Sequence, residues 1–247
     1  MADARLTRQL RLVHADSRGT YGRPRLTRAL RAQGIGISAK RVARLMRTAG
    51  LQARGRRRFR VTTDSAHSWP VAPNALARRF HVPTRNTVWA ADLTACWTQT
   101  GWCYLAVVID LASRRVVGWA VRRTLATEGV TAALQMALTR RRPPAGLLHH
   151  SDRGTQYASA AYRTLLAAHG LTASMSRLAN CWDNAPVESF FSTLKAELLP
   201  ARPWTDMAAA HAAIGDYIEQ FYNRRRLHST LGYRSPVAFE AALDAAV

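Results

Sequence analysis

Three carboxylates, Asp92, Asp152 and Glu188, stand where an acid is costly unless it does chemistry. Asp92 interrupts VWAADLT, Asp152 follows LLHHS and precedes Arg153-Gly154, and Glu188 lies near the start of a segment otherwise rich in Phe191, Leu194 and Leu198. The 35 residues 153–187 separate the second acid from the third. Three oxygen ligands that converge suit a hard cation, Mg²⁺ or Mn²⁺, rather than zinc. A pair of such ions can activate water or a 3′-hydroxyl against a phosphodiester. Any one of these acids alone would read as a solvent-facing residue. The three together, in a very basic chain, point to a metal site.

The chain has 247 residues and a formal net charge of +21. The charge is uneven. Residues 1–88 hold 20 Lys+Arg against 3 Asp+Glu, a net of +17, and residues 89–247 hold 16 against 12, a net of +4. Such a field favours nucleic acid, with affinity that falls as salt rises. No run approaches 18 uninterrupted apolar residues, and the start, MADARLTRQLRL, lacks the apolar stretch of a signal peptide. The expectation is a soluble, intracellular protein. Cys96, Cys103 and Cys181 have no zinc-ligand spacing and read as buried or incidental thiols in a reducing compartment.

The elements that must position the acids follow from periodicity. Arg23–Gln33 and Ala39–Ala49 read as two helices around Gly34-Ile35-Gly36, with Ser38 as the second N-cap. Val42, Leu45, Met46 and Ala49 form the apolar stripe of the second helix. Lys40, Arg41, Arg44 and Arg47 lie outside it, as in a helix-turn-helix whose second helix meets DNA. A basic, solvated hairpin has the same pattern. Residues 53–86, with Arg56-Arg57-Arg58 and three prolines, read as a basic linker, lying along phosphates or serving as a tether.

Beyond Thr87, strands are expected at Val88–Trp97, Trp102–Ile109, Val116–Val121, Gly146–His150 and Leu171–Met175. Helices are expected at Thr127–Arg140, Ser159–His169, from an Asp183 cap to about Leu199, at Thr205–Asn223, and from Ser235-Pro236 to about Asp244. Three strands followed by alternating helix and strand imply an α/β fold, a mixed sheet with helices on both faces. Asp110 ends the second strand and reads as a turn acid, with a metal ligand as the alternative. His149 and His150 make a tempting metal pair, but adjacent residues on a strand point to opposite faces, which argues against joint ligation.

Taken in order, YGRPRL (21–26), KRVARLM (40–46), VWAADLT (88–94), LAVVIDLASRRVVGWAV (105–121), HSDRGTQY (150–157), SMSRLANCWDNAPVESFFSTLKAEL (174–198) and YNRRRLHSTLGYRSPVAFE (222–240) are specific. With these words the chain resembles an insertion-sequence transposase of the IS-three family, OrfB type, with a retroviral-integrase-like DDE catalytic core. The resemblance implies a ribonuclease-H-like five-stranded sheet and Mg²⁺-dependent cleavage and transfer of DNA strands at the element's ends. It matches Asp92, Asp152 and Glu188 to the metal ligands, and Lys195, two helical turns past Glu188, to a DNA-contacting base. The chemistry expected is an in-line displacement with two ions, one shared by Asp92 and Asp152 and the other by Asp92 and Glu188.

On this reading residues 1–52 form the helix-turn-helix region, 53–86 the linker, 87–200 the catalytic core and 201–247 a helical extension. Expected DNA contacts are Lys40, Arg41, Arg44, Arg47, Arg56, Arg57, Arg58 and Lys195. Expected partners are element ends and target DNA, further copies of the chain on that DNA, and an upstream helix-turn-helix/leucine-zipper protein. The expected location is the bacterial cytoplasm, at the nucleoid. Asn184, Ser151 and Gln156 match words beside the site, with either supporting hydrogen bonds or turn chemistry as their role. The segment RRRLHSTLGY either touches DNA or supports the core. Ala95, His149 and Leu178-Ala179 depart from the family's usual residues, the last in the loop leading to Glu188.

Overall fold

The computed structural model describes residues 2–54, 69–178, 180–199 and 202–245. Arg56, Arg57 and Arg58 lie outside the described residues. Among those described, no helix is long and apolar enough to cross a membrane.

Five strands form one mixed sheet: β1 (Val88–Thr98), β2 (Gly101–Asp110), β3 (Val116–Arg122), β4 (Leu148–Ser151) and β5 (Thr172–Met175), in the order β3-β2-β1-β4-β5. The first three form an antiparallel meander, and β4 and β5 run parallel to β1. β2 and β3 are buried almost throughout, as strands covered on both faces must be. One face carries α4 (Thr127–Arg141), the short α5 (Thr155–Ala158) and α6 (Ala160–Ala168), packed through Val130, Leu134, Leu138, Tyr162 and Leu166. The other carries α7 (Ala185–Leu198) and α8 (Met207–Asp216), through Val187, Phe191, Leu194 and Ile214.

Gly118 of β3 lets α4 lie directly on the strand. A Cβ there would stand 2.1 Å from the Ala133 carbonyl oxygen. Gly118→Ala must push the helix off the sheet, and a loss of about 1–3 kcal/mol or more is expected in denaturant titration, the range for overpacked cores. A loss below a few tenths would show that α4 yields freely.

The N-terminal region is a three-helix unit: α1 (Ala2–Asp16), α2 (Arg23–Ala32) and α3 (Ala39–Thr48). Ser38 accepts from the Arg41 amide as its cap, and Val42, Leu45 and Met46 are buried. The first helix is an addition to the sequence reading. Leu6, Leu10 and Val13 share its inner face.

The unit is docked on the C-terminal segment. Tyr21 Oη donates to the Arg225 carbonyl (3.1 Å) and accepts from the Leu227 amide (2.8 Å), and Arg25 Nε donates to the Leu227 carbonyl (2.8 Å). RRRLHSTLGY is therefore largely a supporting element. Arg226, His228 and Leu231 are buried, while Arg224 and Arg225 are exposed.

The helix expected over Thr205–Asn223 begins with Asp206 capping the Ala209 amide and then widens to a π-turn over Tyr217–Tyr222. The wider turn sets Tyr217, Ile218, Phe221 and Tyr222 all into the core, more bulk than one α-helical stripe holds. Immediately after it, Asn223 Oδ1 accepts from the Val116 amide and its Nδ2 donates to the Val116 carbonyl. The last helix, α9 (Pro236–Asp244), is tied down by Glu240, which receives Arg115, Arg141 and the Ser113 hydroxyl. The described part of the linker also packs: the Ala75 and Leu76 amides both donate to Ser174 Oγ.

Candidate active site

Strand register sets the first two acids side by side. Parallel β1 and β4 pair Ala90 with His150, so Asp92 and Asp152 each stand two residues beyond that pair. Neighbouring strands lie about 4.8 Å apart, so the register brings the two acids to the same end of two adjacent inner strands. Residues of β1 alternate, and Asp92 shares the face of Ala90 and Cys96, the face α7 covers. Gly154 closes the turn after β4. Its amide donates to Asp152 Oδ1 (2.9 Å), and a Cβ on it would meet that oxygen at 3.0 Å.

Glu188 comes from the first turn of α7. Asn184, just before that helix, donates from Nδ2 to the Ala91 carbonyl (3.1 Å), which pins the helix start to β1 beside Asp92. Through its Nδ2 Asn184 therefore supports the site, while its buried Oδ1 has no hydrogen-bond partner. Ser151 donates to the Asp152 carbonyl and Gln156 to the Leu125 carbonyl, so both serve the turns around the site.

The three acids share one electrostatic neighbourhood. Burial, then the Asp152 and Glu188 charges, hold Asp92 well above the usual carboxylate range, against the Leu93 amide and Lys195. Burial and Asp152 raise Glu188 as well. Lys195 faces the same cluster. Burial lowers its ammonium, while Cys96 and Asp92 favour its charge. Among the described residues no three His, Cys, Asp or Glu side chains are drawn together tightly enough to hold an ion as they stand. The donor set nonetheless fits a hard divalent cation: it is all oxygen, partly shielded from water, and self-repelling.

Asp183 is not the cap the sequence suggested. It is fully buried in a 3₁₀ turn, Cys181–Asn184, ahead of α7, and Asn184 occupies the cap position without a side-chain cap bond. Asp183 receives five donors: the Arg177 amide and guanidinium (two bonds), Arg78 Nε and Asn74 Nδ2. Arg177, then the other donors, hold its carboxyl far below the usual range against the cost of burial. One buried charge thus clamps the linker and both ends of the loop before Glu188. Leu178 of that loop is exposed, and Ala179 lies outside the described residues.

Asp110 is the turn acid expected, accepting from the Asn86, Ala112 and Ser113 amides. The histidines diverge. His149 meets Tyr162 Oη on the α6 face, and His150 meets Ser174 and Ser176. Burial pushes them down to about 3 and about 4, so both are neutral structural groups. Cys96 and Cys103 are buried opposite one another on β1 and β2.

In the helix-turn-helix, Lys40, Arg44 and Arg47 are exposed and Arg41 is half-buried. Asp3 of α1 receives Arg41 (2.6 Å) and Arg44 (2.8 Å). An acid sits across two of the expected DNA contacts. Asp3→Asn is expected to tighten DNA binding several-fold and steepen its salt dependence, since two guanidiniums are released to phosphates. Unchanged affinity across a salt series would place Arg41 and Arg44 off the DNA.

Comparison with known proteins then decides the family. An integrase core domain model matches residues 83–181, a second integrase core domain model matches 169–236, and an HTH-like domain model matches 2–59. The insertion element IS600 31 kDa protein of Shigella sonnei is 46% identical over 96% of this chain and 88% of its own length. The chain belongs to the insertion-sequence transposases with an integrase core. Transposase InsF for insertion sequence IS3A of Escherichia coli K12 is 45% identical over 91% of this chain and 78% of its own. The fold is that of the integrases. A chain of the simian T-cell lymphotropic virus intasome aligns with a TM-score of 0.54 at 16% identity, covering 92% of this transposase and 72% of that chain.

Proposed function

We propose that this chain cuts DNA strands at the ends of an insertion sequence and joins them to target DNA, with Asp92, Asp152 and Glu188 as the catalytic carboxylates. The observation that supports the reading is the shared electrostatic neighbourhood of these acids, presented by β1, the end of β4 and the start of α7, with Asp92 and Glu188 both raised. Such self-repulsion is what a cation would relieve. The three acids would hold Mg²⁺, two ions with Mn²⁺ as a substitute, which when bound supplies Lewis-acid stabilisation and a nucleophile at neutral pH.

The chain's own residues do the rest. Asn184 and the Asp183 clamp fix the helix that presents Glu188. Gly154 orients Asp152. Lys195, two turns beyond Glu188 on α7, is set to meet a phosphate near the cluster. Lys40, Arg41, Arg44 and Arg47 would hold DNA on α3, and Arg56, Arg57 and Arg58 along the linker. No side-chain nucleophile is required, since water and then a 3′-hydroxyl attack in line.

The division into residues 1–52, 53–86, 87–200 and 201–247 belongs to the same reading. So do assembly of several copies on DNA, an upstream helix-turn-helix/leucine-zipper partner and a place at the bacterial nucleoid; the upstream partner rests on the sequence resemblance alone. The test supplies the full chain with Mg²⁺, an element end and a target duplex. Nicked ends and joined products are expected. Nicked ends without joined products would reduce the activity to that of a nuclease, and the absence of both products would overturn the proposal.

A further inference from the structure

Around α7 from Glu188 lies a basic recess of about 300 Å³ to which the chemistry above gives no role. Distant parts of the chain form its walls: Arg25 of α2, Phe80 of the linker, Arg114 of the β2–β3 turn, Ser189 and Thr193 of α7, and residues 228–230.

Two guanidiniums there lack a counter-charge. Among the described residues neither Arg25 nor Arg114 is ion-paired, and each donates to a main-chain carbonyl, Arg25 to Leu227 (2.8 Å) and Arg114 to Phe80 (3.0 Å). Those bonds fix the two groups and leave most of their N–H donors unused. Two carboxylates act on them from a distance, and both are already bound: Glu197, near Arg25, by both arms of Arg226 and by Tyr217 Oη, and Asp110, near Arg114, by the Asn86, Ala112 and Ser113 amides. Arg114 is held at φ 60°, a left-handed conformation uncommon for a residue with a side chain, in the turn that Asp110 organises.

The histidine is the independent sign. His228 is 8% exposed, lines the recess, and has no hydrogen-bond partner on Nε2. Tyr222 holds the ring edge-on at 4.8 Å. Buried ring nitrogens are ordinarily paired, so this one invites a ligand. Burial and the positive field of Arg226, Arg25 and Arg114 push the ring down to about 3, and burial with Arg226 lowers Arg25 too. The recess has a positive surplus, and the anions nearest it are bound to other groups.

We infer that this recess seats one backbone phosphate of the DNA engaged at the carboxylate cluster, gripped by Arg25 and Arg114, with the Ser229 and Thr230 hydroxyls completing its hydrogen bonds. The anion would draw a proton onto His228, whose Nε2 then donates to it. The inference rests on the DNA-processing reading above. A strand crossing α7 would place one phosphodiester near Glu188 and another here. Because Arg25 belongs to the helix-turn-helix unit and Arg114 to the core, the same phosphate would tie the two together.

The test measures binding of the full chain to a short duplex across a salt series. Each phosphate contact contributes about −0.9 to the slope of log K against log salt. The Arg25→Gln/Arg114→Gln variant is expected to bind about tenfold more weakly, with a slope shallower by about 1 to 2 for the one or two charges removed. Ser229→Asp places a carboxylate at the exposed rim and leaves both arginines' main-chain bonds intact. It is expected to act in the same direction, so misfolding of the double variant does not shelter the idea.

Methylphosphonate linkages introduced one at a time should weaken the wild type at one position where the double variant is indifferent. Folded variants that keep the wild-type slope and methylphosphonate profile overturn the proposal. So does inorganic phosphate stabilising the wild type through these residues while DNA binding is unaffected, which would make the recess a small-anion site. A wild type with no salt-dependent DNA binding fails at the broader reading, before the recess is reached.

Discussion

Asp92→Asn is expected to leave DNA binding intact and to lower strand cleavage by about three to four orders of magnitude. The carboxylate is within the electrostatic reach of both Asp152 and Glu188, and its loss would remove one of the three groups that would hold the metal. Metal stabilisation of a developing charge is worth several kcal/mol, at about 1.4 kcal/mol per tenfold in rate. Cleavage in Mg²⁺ by the folded variant at the wild-type rate would sink the assignment.

A second readout separates this role from a structural one. Asp92 is raised above its unfolded value by burial and by its acidic neighbours. Between those two values the folded chain holds a proton that the unfolded chain has released, so stability falls as pH rises through the window. Asparagine has no such titration. Without divalent cations the variant should therefore unfold at a higher temperature than the wild type near neutral pH. The difference should shrink as pH falls toward the unfolded carboxylate value. A structural Asp92, stabilised by its charge, would give the opposite sign.

The acids were legible in the sequence because each broke a local pattern: a charge inside a strand, a charge at a strand end, a charge in an apolar helix. The five strands and the caps Ser38 and Ser235 were legible for the same reason, since alternation and capping are local signals. The first helix was equally available in Leu6, Leu10 and Val13, whose spacing puts them on one helical face. Asp183 misled because a cap and a buried ion-pair hub look alike until Arg78, more than a hundred residues away, is placed beside it. The π-turn depends on how much aromatic bulk the core accepts, which no helical period encodes. The recess was invisible for a stronger reason: Arg25, Arg114 and His228 meet only through the fold.

Glu197→Ala is expected to be the most destabilising single change in the C-terminal half, costing about 3–5 kcal/mol in denaturant titration, the usual result of stranding a buried partner. Glu197 and Arg226 are joined by two bonds, at 2.8 and 2.7 Å, with side chains only 6% exposed on each partner. Burial alone would lower the Arg226 guanidinium. The Glu197 carboxylate more than reverses this and holds the guanidinium above its ordinary value. Tyr217 Oη donates to the same carboxylate at 2.7 Å, so alanine would strand a hydroxyl as well as a cation. The loss should reach the N-terminal helices, because Tyr21 and Arg25 dock on the main chain around Arg226. Proteolysis within residues 17–22 should accelerate along with global unfolding. Glu197→Ala/Arg226→Leu removes both charges and should recover much of the stability, since the cost lies in the unpaired ion rather than in the missing pair. If the double variant is no better than the single, the bridge itself holds α7 to the C-terminal segment. If the single variant loses less than about 1 kcal/mol, water reaches Arg226 and the pair behaves as a surface one.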